Sequence, residues 1–164
     1  MNRGDHRLVL VRHAKSDWSA GVPDVDRPLS ARGRRQAPES GAWLATRVAI
    51  DRAVVSPAQR ARSTWDLVAA EYESAPPATF DDDAYTFDGH ALLAIIRHLN
   101  DDDQTVALVG HNPAMEELIH LLTGRWLPMP TACLAVIDLP GDWRDAAGEG
   151  GATVFAHGRP PTQP

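Results

Sequence analysis

Short runs of apolar residues alternate along this chain with longer segments in which apolar residues recur every three or four positions. The runs have the length of buried strands and lie at residues 8–11, 53–56, 105–109 and 134–139. The segments with helical spacing lie at residues 30–48, 58–70, 89–99 and 113–122. We also expect a short strand within residues 74–83 and an edge strand at residues 153–156. Strand–helix alternation predicts a mostly parallel sheet with helices on both faces, a three-layer α/β/α fold.

Several residues mark where the predicted helices begin and end. Ser30 is a suitable N-cap for the first helix, and Gly124 is suited to end the last one. Pro38 lies inside the first helical segment, which predicts either a kink or a late helix start. We expect residues 1–157 to form a single domain and the Pro-rich tail, residues 158–164, to be disordered.

Composition and charge narrow the classes of function. The chain has 164 residues, 43% of them hydrophobic, and a formal net charge of -6. This charge argues against a broad nucleic-acid or anionic-membrane surface, so neither partner is predicted. The sequence has no signal-peptide pattern and no apolar stretch near the roughly 20 residues of a membrane span, which predicts a cytoplasmic protein. Cys133 has apolar neighbours and is better interpreted as a buried inert thiol than as a nucleophile.

Charged and polar side chains follow three of the predicted strands. Arg12 and His13 end the first strand, Arg60 lies one helical turn beyond the second, and His111 follows the strand at residues 105–109. Ligands of open α/β sheets bind beyond the carboxyl ends of the strands. We therefore expect two guanidinium groups and two imidazoles at one edge of the sheet.

These four side chains have complementary chemistry. Two fixed positive charges suit a dianionic phosphate, because guanidinium groups bind phosphate through a planar fork. A neutral imidazole can attack phosphorus, and a second imidazole can bind the oxygens whose charge changes in the transition state. The bland alternative is that the arginines are solvated and the histidines structural. The spacing alone leaves both interpretations open.

Four ordered motifs resemble those of the histidine phosphatase superfamily. Residues 10–14, Leu-Val-Arg-His-Ala, resemble its strand-end signature, which is normally Arg-His-Gly. Residues 11–18 and 26–30 look like the small bacterial phosphohistidine phosphatase branch (SixA type). Residues 56–64 resemble the Ser-Pro-x-x-Arg-x-x-x-Thr segment, and residues 109–113 its Gly-His-Asn-Pro segment. The similarity runs from about residue 8 to residue 124.

The resemblance implies a phosphoglycerate mutase-like fold and a metal-independent phosphatase with no cofactor. His13 would be the nucleophile that forms a covalent phosphohistidine intermediate. Arg12, Arg60 and His111 would line the phosphate pocket. The partner would be a phosphorylated protein or a small phosphorylated substrate.

The proton donor and the outer pocket are less clearly marked. Mutase-like relatives carry a Glu after the third motif and acid-phosphatase relatives an Asp after the second histidine, where this chain has Asn112. Asp83 is a weak candidate for the donor, and the alternative interpretation is a solvated loop carboxylate. Ser16 and Ser19 lie where the mutase branch often has phosphate-loop residues, so they are weaker candidates for substrate binding.

A missing acid has a chemical interpretation. An alkoxide is a poor leaving group that benefits from a positioned acid, whereas a phosphorylated imidazole can leave as neutral imidazole. The sequence therefore favours a phosphatase that hydrolyses phosphohistidine carried by a protein. Two alternatives stay open: a phosphatase of small phosphate monoesters such as sugar or nucleotide phosphates, and a non-catalytic phosphate-binding module.

Overall fold

A computed structural model describes residues 4–148 and 151–162 of the chain. The strands of its central sheet, numbered in chain order, are β1 His6–Arg12, β2 Arg52–Val55, β3 Ala78–Phe80, β4 Thr105–Gly110, β5 Leu134–Leu139 and β6 Thr153–Gly158. The α-helices are α1 Ala31–Arg47, α2 Gln59–Ala69, α3 Gly89–Arg97 and α4 Ala114–Thr123. Short 3-10 helices lie at Asp24–Asp26, Asp82–Ala84 and Trp143–Asp145.

The sheet has the strand order β3-β2-β4-β1-β5-β6. The pairs β3–β2, β2–β4 and β4–β1 are parallel, which confirms the predicted parallel sheet. In contrast, β5 pairs with β1 and β6 pairs with β5 in antiparallel fashion. Because β1, β2 and β4 run in one direction, their carboxyl ends meet at one edge of the sheet.

Each face of the sheet is covered by two helices, as the sequence predicts. Successive side chains of a strand point to opposite faces. Leu8 and Leu10 of β1 are fully buried in the cluster that includes α3 and α4. Val9 and Val11 are fully buried in the cluster that includes α1 and α2. The near-continuous apolar run of β1 is therefore the signature of a strand buried on both faces.

The ends of the helices follow from local chemistry. The Ser30 hydroxyl accepts a hydrogen bond from the backbone N–H of Gly33 at 3.1 Å, so Ser30 is the N-cap of α1. The helix starts there and runs through Pro38, so the alternative of a late start is wrong. Gly124 ends α4 with a left-handed φ of 75°, as predicted. A Cβ on Gly33 would lie 2.0 Å from the carbonyl oxygen of Lys15, so only glycine allows the loop after β1 to approach α1 this closely.

The described residues that follow β6 pack against its last residue. The predicted edge strand extends to Gly158, the first residue of the predicted tail. Pro161 is buried, and a Cβ on Gly158 would lie 2.5 Å from the Cα atom of Pro161. Residues 163 and 164 of the tail lie outside the described residues. None of the described helices is long and apolar enough to cross a lipid bilayer.

Candidate active site

A cavity of about 240 Å³ lies at the sheet edge where β1, β2 and β4 end. The structure brings the four candidates of the sequence together here, since the cavity is lined by Arg12, His13, Arg60 and His111. The His13 and His111 rings have their centroids 5.2 Å apart. The ends of β1 and β4 and the start of α2 therefore bring the guanidinium and imidazole groups to one cavity.

Hydrogen bonds fix the ring of His13 and its tautomer. The backbone N–H of His13 donates to the carbonyl of Gly110 at 3.1 Å, which holds the residue at the end of β4. Its ring Nδ1 lies 2.8 Å from the carbonyl oxygen of Ala14. Because a carbonyl only accepts, Nδ1 carries the proton and the lone pair of the neutral ring is on Nε2. No hydrogen bond to Nε2 is formed by the described part of the chain.

The His13 loop is anchored to α2. The backbone N–H of Ala14 donates to Oγ1 of Thr64 at 2.9 Å. Thr64, which is fully buried, donates in turn to the carbonyl of Arg60 at 2.7 Å. The Thr64 side chain thus ties the His13 loop to the turn of α2 that carries Arg60.

Burial keeps His13 neutral. The pKa of His13 is lowered to about 3, chiefly because burial disfavours the charged ring, with smaller contributions from His111, Arg60 and Arg12. The hydrogen bond to the Ala14 carbonyl opposes this shift without cancelling it. At neutral pH the ring therefore holds its lone pair, as a nucleophile requires.

Ser56 orients His111. Its hydroxyl lies 2.7 Å from Nε2 of His111 and accepts a hydrogen bond from the backbone N–H of Ala58 at 3.3 Å. Ser56 is fully buried, so its proton needs an acceptor, and Nε2 is the one within reach. We infer that Ser56 donates to Nε2, which places the ring proton of neutral His111 on Nδ1. The pKa of His111 is lowered to about 4, first by burial and then by Arg60.

Several buried donors around the cavity lack a partner within residues 4–148 and 151–162. They are Nε of Arg12, Nε of Arg60 and Nδ1 of His111. Unpaired buried donors are costly, and three of them on cavity-lining residues indicate an anionic ligand. Burial also lowers the pKa of Arg12, which favours pairing of this guanidinium with an anion.

Asp24 and Arg27 complete the cavity, although sequence reasoning gave them no role. Asp24 accepts from Arg60 Nη2 at 3.0 Å and from Arg27 Nε at 3.1 Å. It also accepts a hydrogen bond from the hydroxyl of Tyr85, which is the largest cause of its pKa falling to about 2, ahead of Arg60. Arg27 belongs to a motif noted in the sequence, but its burial beside Ser16 depends on the fold of an irregular loop.

The weaker candidates from the sequence, Ser16, Ser19 and Asp83, do not all lie at the cavity. Ser16 is buried, lines the cavity and accepts a hydrogen bond from Arg27. Ser19 is exposed, donates to Asp17 at 2.6 Å and does not line the cavity. Asp83 is an exposed residue of a 3-10 helix and lines a different cleft, beside β3 and α3. The structure thus does not bring Ser19 or Asp83 to this site.

A cysteine thiol and a metal centre are two other kinds of reactive group. Cys133 is buried, and its burial raises the pKa of the thiol, which agrees with an inert side chain. Among the described residues, no three His, Cys, Asp or Glu side chains are grouped so that they could hold a metal ion.

Known proteins resemble this chain over most of its length. Residues 8–83 match the model of the histidine phosphatase superfamily, branch 1. The uncharacterised protein ML1117 of Mycobacterium leprae is 32% identical over 162 residues, covering 90% of this chain and 98% of that protein. The structure of a candidate phosphohistidine phosphatase SixA from Nakamurella multipartitia has a TM-score of 0.81 at 27% identity and covers 98% of each chain. A second SixA candidate, from Agrobacterium tumefaciens, has a TM-score of 0.78 at 28% identity and covers 93% of this chain and 96% of its own.

Proposed function

This chain belongs to the histidine phosphatase superfamily, and we propose that it hydrolyses phosphohistidine on a protein, through a phosphoryl group carried transiently by His13. The SixA-like structures named above support this substrate class. We further propose that the reaction needs no metal ion and takes place in the cytoplasm.

The phosphoryl group would be held by the unpaired donors of the cavity. Arg12 and Arg60 supply fixed positive charge, and Nδ1–H of His111 supplies a neutral donor. Phosphoryl transfer depends mainly on positioning and on stabilisation of charge on the equatorial oxygens. These three groups surround the nucleophile, so they can serve both purposes.

The transfer takes two steps. In the first, the Nε2 lone pair of His13 forms a bond to phosphorus while the P–N bond of the substrate breaks. The substrate imidazole keeps the bonding electrons and leaves neutral, because its other nitrogen already carries a proton. In the second, water attacks phosphorus, its proton goes to the released phosphate, and the electrons of the P–Nε2 bond return to His13. The Ala14 carbonyl holds Nδ1–H throughout, so the ring regains its starting tautomer.

The observation that carries the proposal is the state of Asp24. It is the carboxylate that lines the described cavity, and with a pKa of about 2 and two arginine partners it is ionised at neutral pH. It therefore has no proton to give to an alkoxide leaving group. His111, neutral at this pH, has its Nδ1–H available for the phosphoryl oxygens. A substrate whose leaving group needs no acid fits this cavity best.

A substrate panel tests the proposal. Purified protein is assayed at pH 7.5 on a phosphohistidine peptide and on alkyl phosphates, including a sugar phosphate, with and without EDTA. We expect kcat/KM to be roughly 100-fold or more higher for phosphohistidine, since a positioned acid contributes about 10²–10⁴ to ester cleavage. EDTA should leave the rate unchanged, and His13→Ala should remove it. Comparable rates on sugar phosphates would refute the substrate assignment.

A further inference from the structure

Two exposed aromatic side chains line the cavity that holds His13. Trp18 and Phe87 are each 73% exposed, the highest values among the large hydrophobic side chains of the described residues. Exposed aromatic side chains at the mouth of a polar cavity mark a binding surface, because leaving them in water contributes nothing to the fold. Neither side chain carries a group that binds phosphate or transfers a proton. The reaction described above therefore gives no role to either residue.

Trp18 is held in place by the loop that follows the nucleophile. The Asp17 N–H donates to the carbonyl of Pro28 at 2.8 Å, and Ser16 forms an isolated antiparallel β-bridge with Leu29. The guanidinium carbon of Arg27 lies 3.6 Å from the centroid of the Trp18 ring. The ring is therefore fixed at the cavity while most of its surface stays open to solvent.

Phe87 reaches the same cavity from the other half of the chain. Two neighbours of Phe87 in the sequence are held by hydrogen bonds. The hydroxyl of Tyr85 donates to Asp24, and Asp88 caps α3 by accepting from the N–H of His90 at 2.9 Å. The N–H of Asp88 also donates to Oγ1 of Thr86 at 3.0 Å. Hydrogen bonds on both sides thus hold the Phe87 backbone, and its exposed ring is not part of a loosely attached segment.

We infer that Trp18 and Phe87 form a leaving-group subsite, one that binds the aromatic ring bearing the phosphoryl group. This inference rests on the proposed function and specifies which part of the substrate these two residues recognise. The ring is a protonated phospho-imidazole, a flat cation, and indole and phenyl faces attract such a group. Leaving groups without a ring obtain none of these contacts.

The test compares two substrates that share the P–N bond and differ in the ring. Phosphohistidine and phosphoramidate are assayed with wild-type protein and with Phe87→Ala, and the ratio of their kcat/KM values is measured. We expect Phe87→Ala to lower this ratio about fivefold to tenfold, as the loss of one aromatic or cation–π contact predicts. Phe87→Tyr should restore the ratio and Phe87→Leu should not, because only the former keeps an aromatic face. Trp18→Ala should lower the ratio too, although it also exposes Arg27.

Matched controls come from aromatic residues elsewhere on the surface. Trp126→Ala and Phe155→Ala remove rings that are 64% and 55% exposed and lie outside the cavity, so both should keep the ratio. A ratio unchanged in Phe87→Ala and Trp18→Ala, in a wild type that prefers P–N substrates to esters, would overturn the subsite alone. A wild type with no preference for P–N substrates would overturn the proposed function, and the subsite with it.

Discussion

The two ends of β1 carry buried histidines in opposite situations. His6, at the start of the strand, is 2% exposed, and its two ring nitrogens lie 2.6 Å and 3.0 Å from the carbonyl oxygens of Gly141 and Asp101. Its ring also packs on Trp143, with centroids 4.6 Å apart. His13, just beyond the other end, is 7% exposed and has only Nδ1 engaged.

Under the proposed function, this difference separates a structural histidine from a reactive one. Residue type and burial are nearly the same at the two positions, so neither identifies the proposed nucleophile. What distinguishes His13 is a ring nitrogen with no partner in the described part of the chain, at the sheet edge where ligands bind. A ring nitrogen left without a partner at the edge where ligands bind is a stronger sign of function than burial itself.

Replacing each histidine with alanine should give opposite phenotypes. His13→Ala should lower kcat by roughly 10⁴-fold or more, because the nucleophile is gone, and should change stability little. His6→Ala should lower the free energy of unfolding by roughly 1–3 kcal/mol, because it removes a buried ring that packs on Trp143 and bonds to backbone carbonyls. Activity per folded molecule and urea unfolding measure the two effects. A His6→Ala protein that is stable but inactive would break the comparison.

His111 extends the comparison to a second imidazole with an unpaired nitrogen. His111→Ala should lower kcat by about 10²–10³-fold, the cost of removing one donor to the transition state. The phosphoryl group should still reach His13, since the nucleophile is intact. Rapid-quench kinetics will show slow formation of the phosphorylated enzyme. Unchanged chemistry in this variant would mean that His111 has no role in transfer.

Ser56 should act through the tautomer of His111. Ser56→Ala leaves Nε2 without its donor, so the ring can place its proton on either nitrogen, and we expect kcat to fall about tenfold, the loss of one neutral hydrogen bond. The nitrogen chemical shifts of His111 should move from the Nδ1–H pattern towards a mixture. Ser56→Thr keeps the hydroxyl and should restore both readouts. A pure Nδ1–H pattern in Ser56→Ala would show that something else sets the tautomer.

Acidification should lower the stability of the folded protein. The folded pKa values of about 3 for His13 and 4 for His111 lie below the ordinary value of 6.5, so on acidification the unfolded chain takes up these protons first. The free energy of unfolding should therefore fall between pH 6.5 and 5, by at most about 1.4 kcal/mol per pH unit for each ring. Asp24, with its pKa of about 2, contributes only below about pH 4.

Urea unfolding at pH 7.0, 6.0 and 5.0 measures this slope. The double variant His13→Ala/His111→Ala should have a shallower slope than the wild-type protein. Equal slopes in the two proteins would show that these imidazoles protonate in the folded state as readily as in the unfolded chain.

Much of the fold could be predicted from local patterns. The apolar run of β1 and the Ser30 cap depend on neighbouring residues, and both match the structure. Placing a ligand site at strand ends then follows from the topology of parallel sheets, which is why His13 and His111 could be paired from the sequence.

The antiparallel half of the sheet was harder to predict. Helix α4 leads the chain away from the carboxyl edge of the parallel strands. Residues 124–133 then return to that edge without forming a helix, and Leu134 pairs there with Val11. This segment also contributes to the site, because the Met129 carbonyl accepts from Arg12 Nη1 at 3.0 Å and the Ala132 N–H donates to the backbone carbonyl of His13 at 3.1 Å. No periodicity marks such a segment, so its direction cannot be predicted from the sequence.

Loop residues were the main omission at the site. Asp24 depends on Tyr85, which lies 61 positions away in the sequence, and no local pattern links them. The same reason explains the burial of His6, which no local pattern before the apolar run of β1 indicates. Its burial comes from the segments at Asp101 and Gly141, which close over the end of the strand.

A single-turnover experiment tests the central claim most directly. Excess protein is mixed with a ³²P-labelled phosphohistidine peptide, quenched in alkali within milliseconds and mapped by mass spectrometry. We predict a transient, acid-labile phosphoryl group on Nε2 of His13 that rises before free phosphate appears and is absent from His13→Ala. Phosphate released without any labelled protein, or a label on another side chain, would contradict the account.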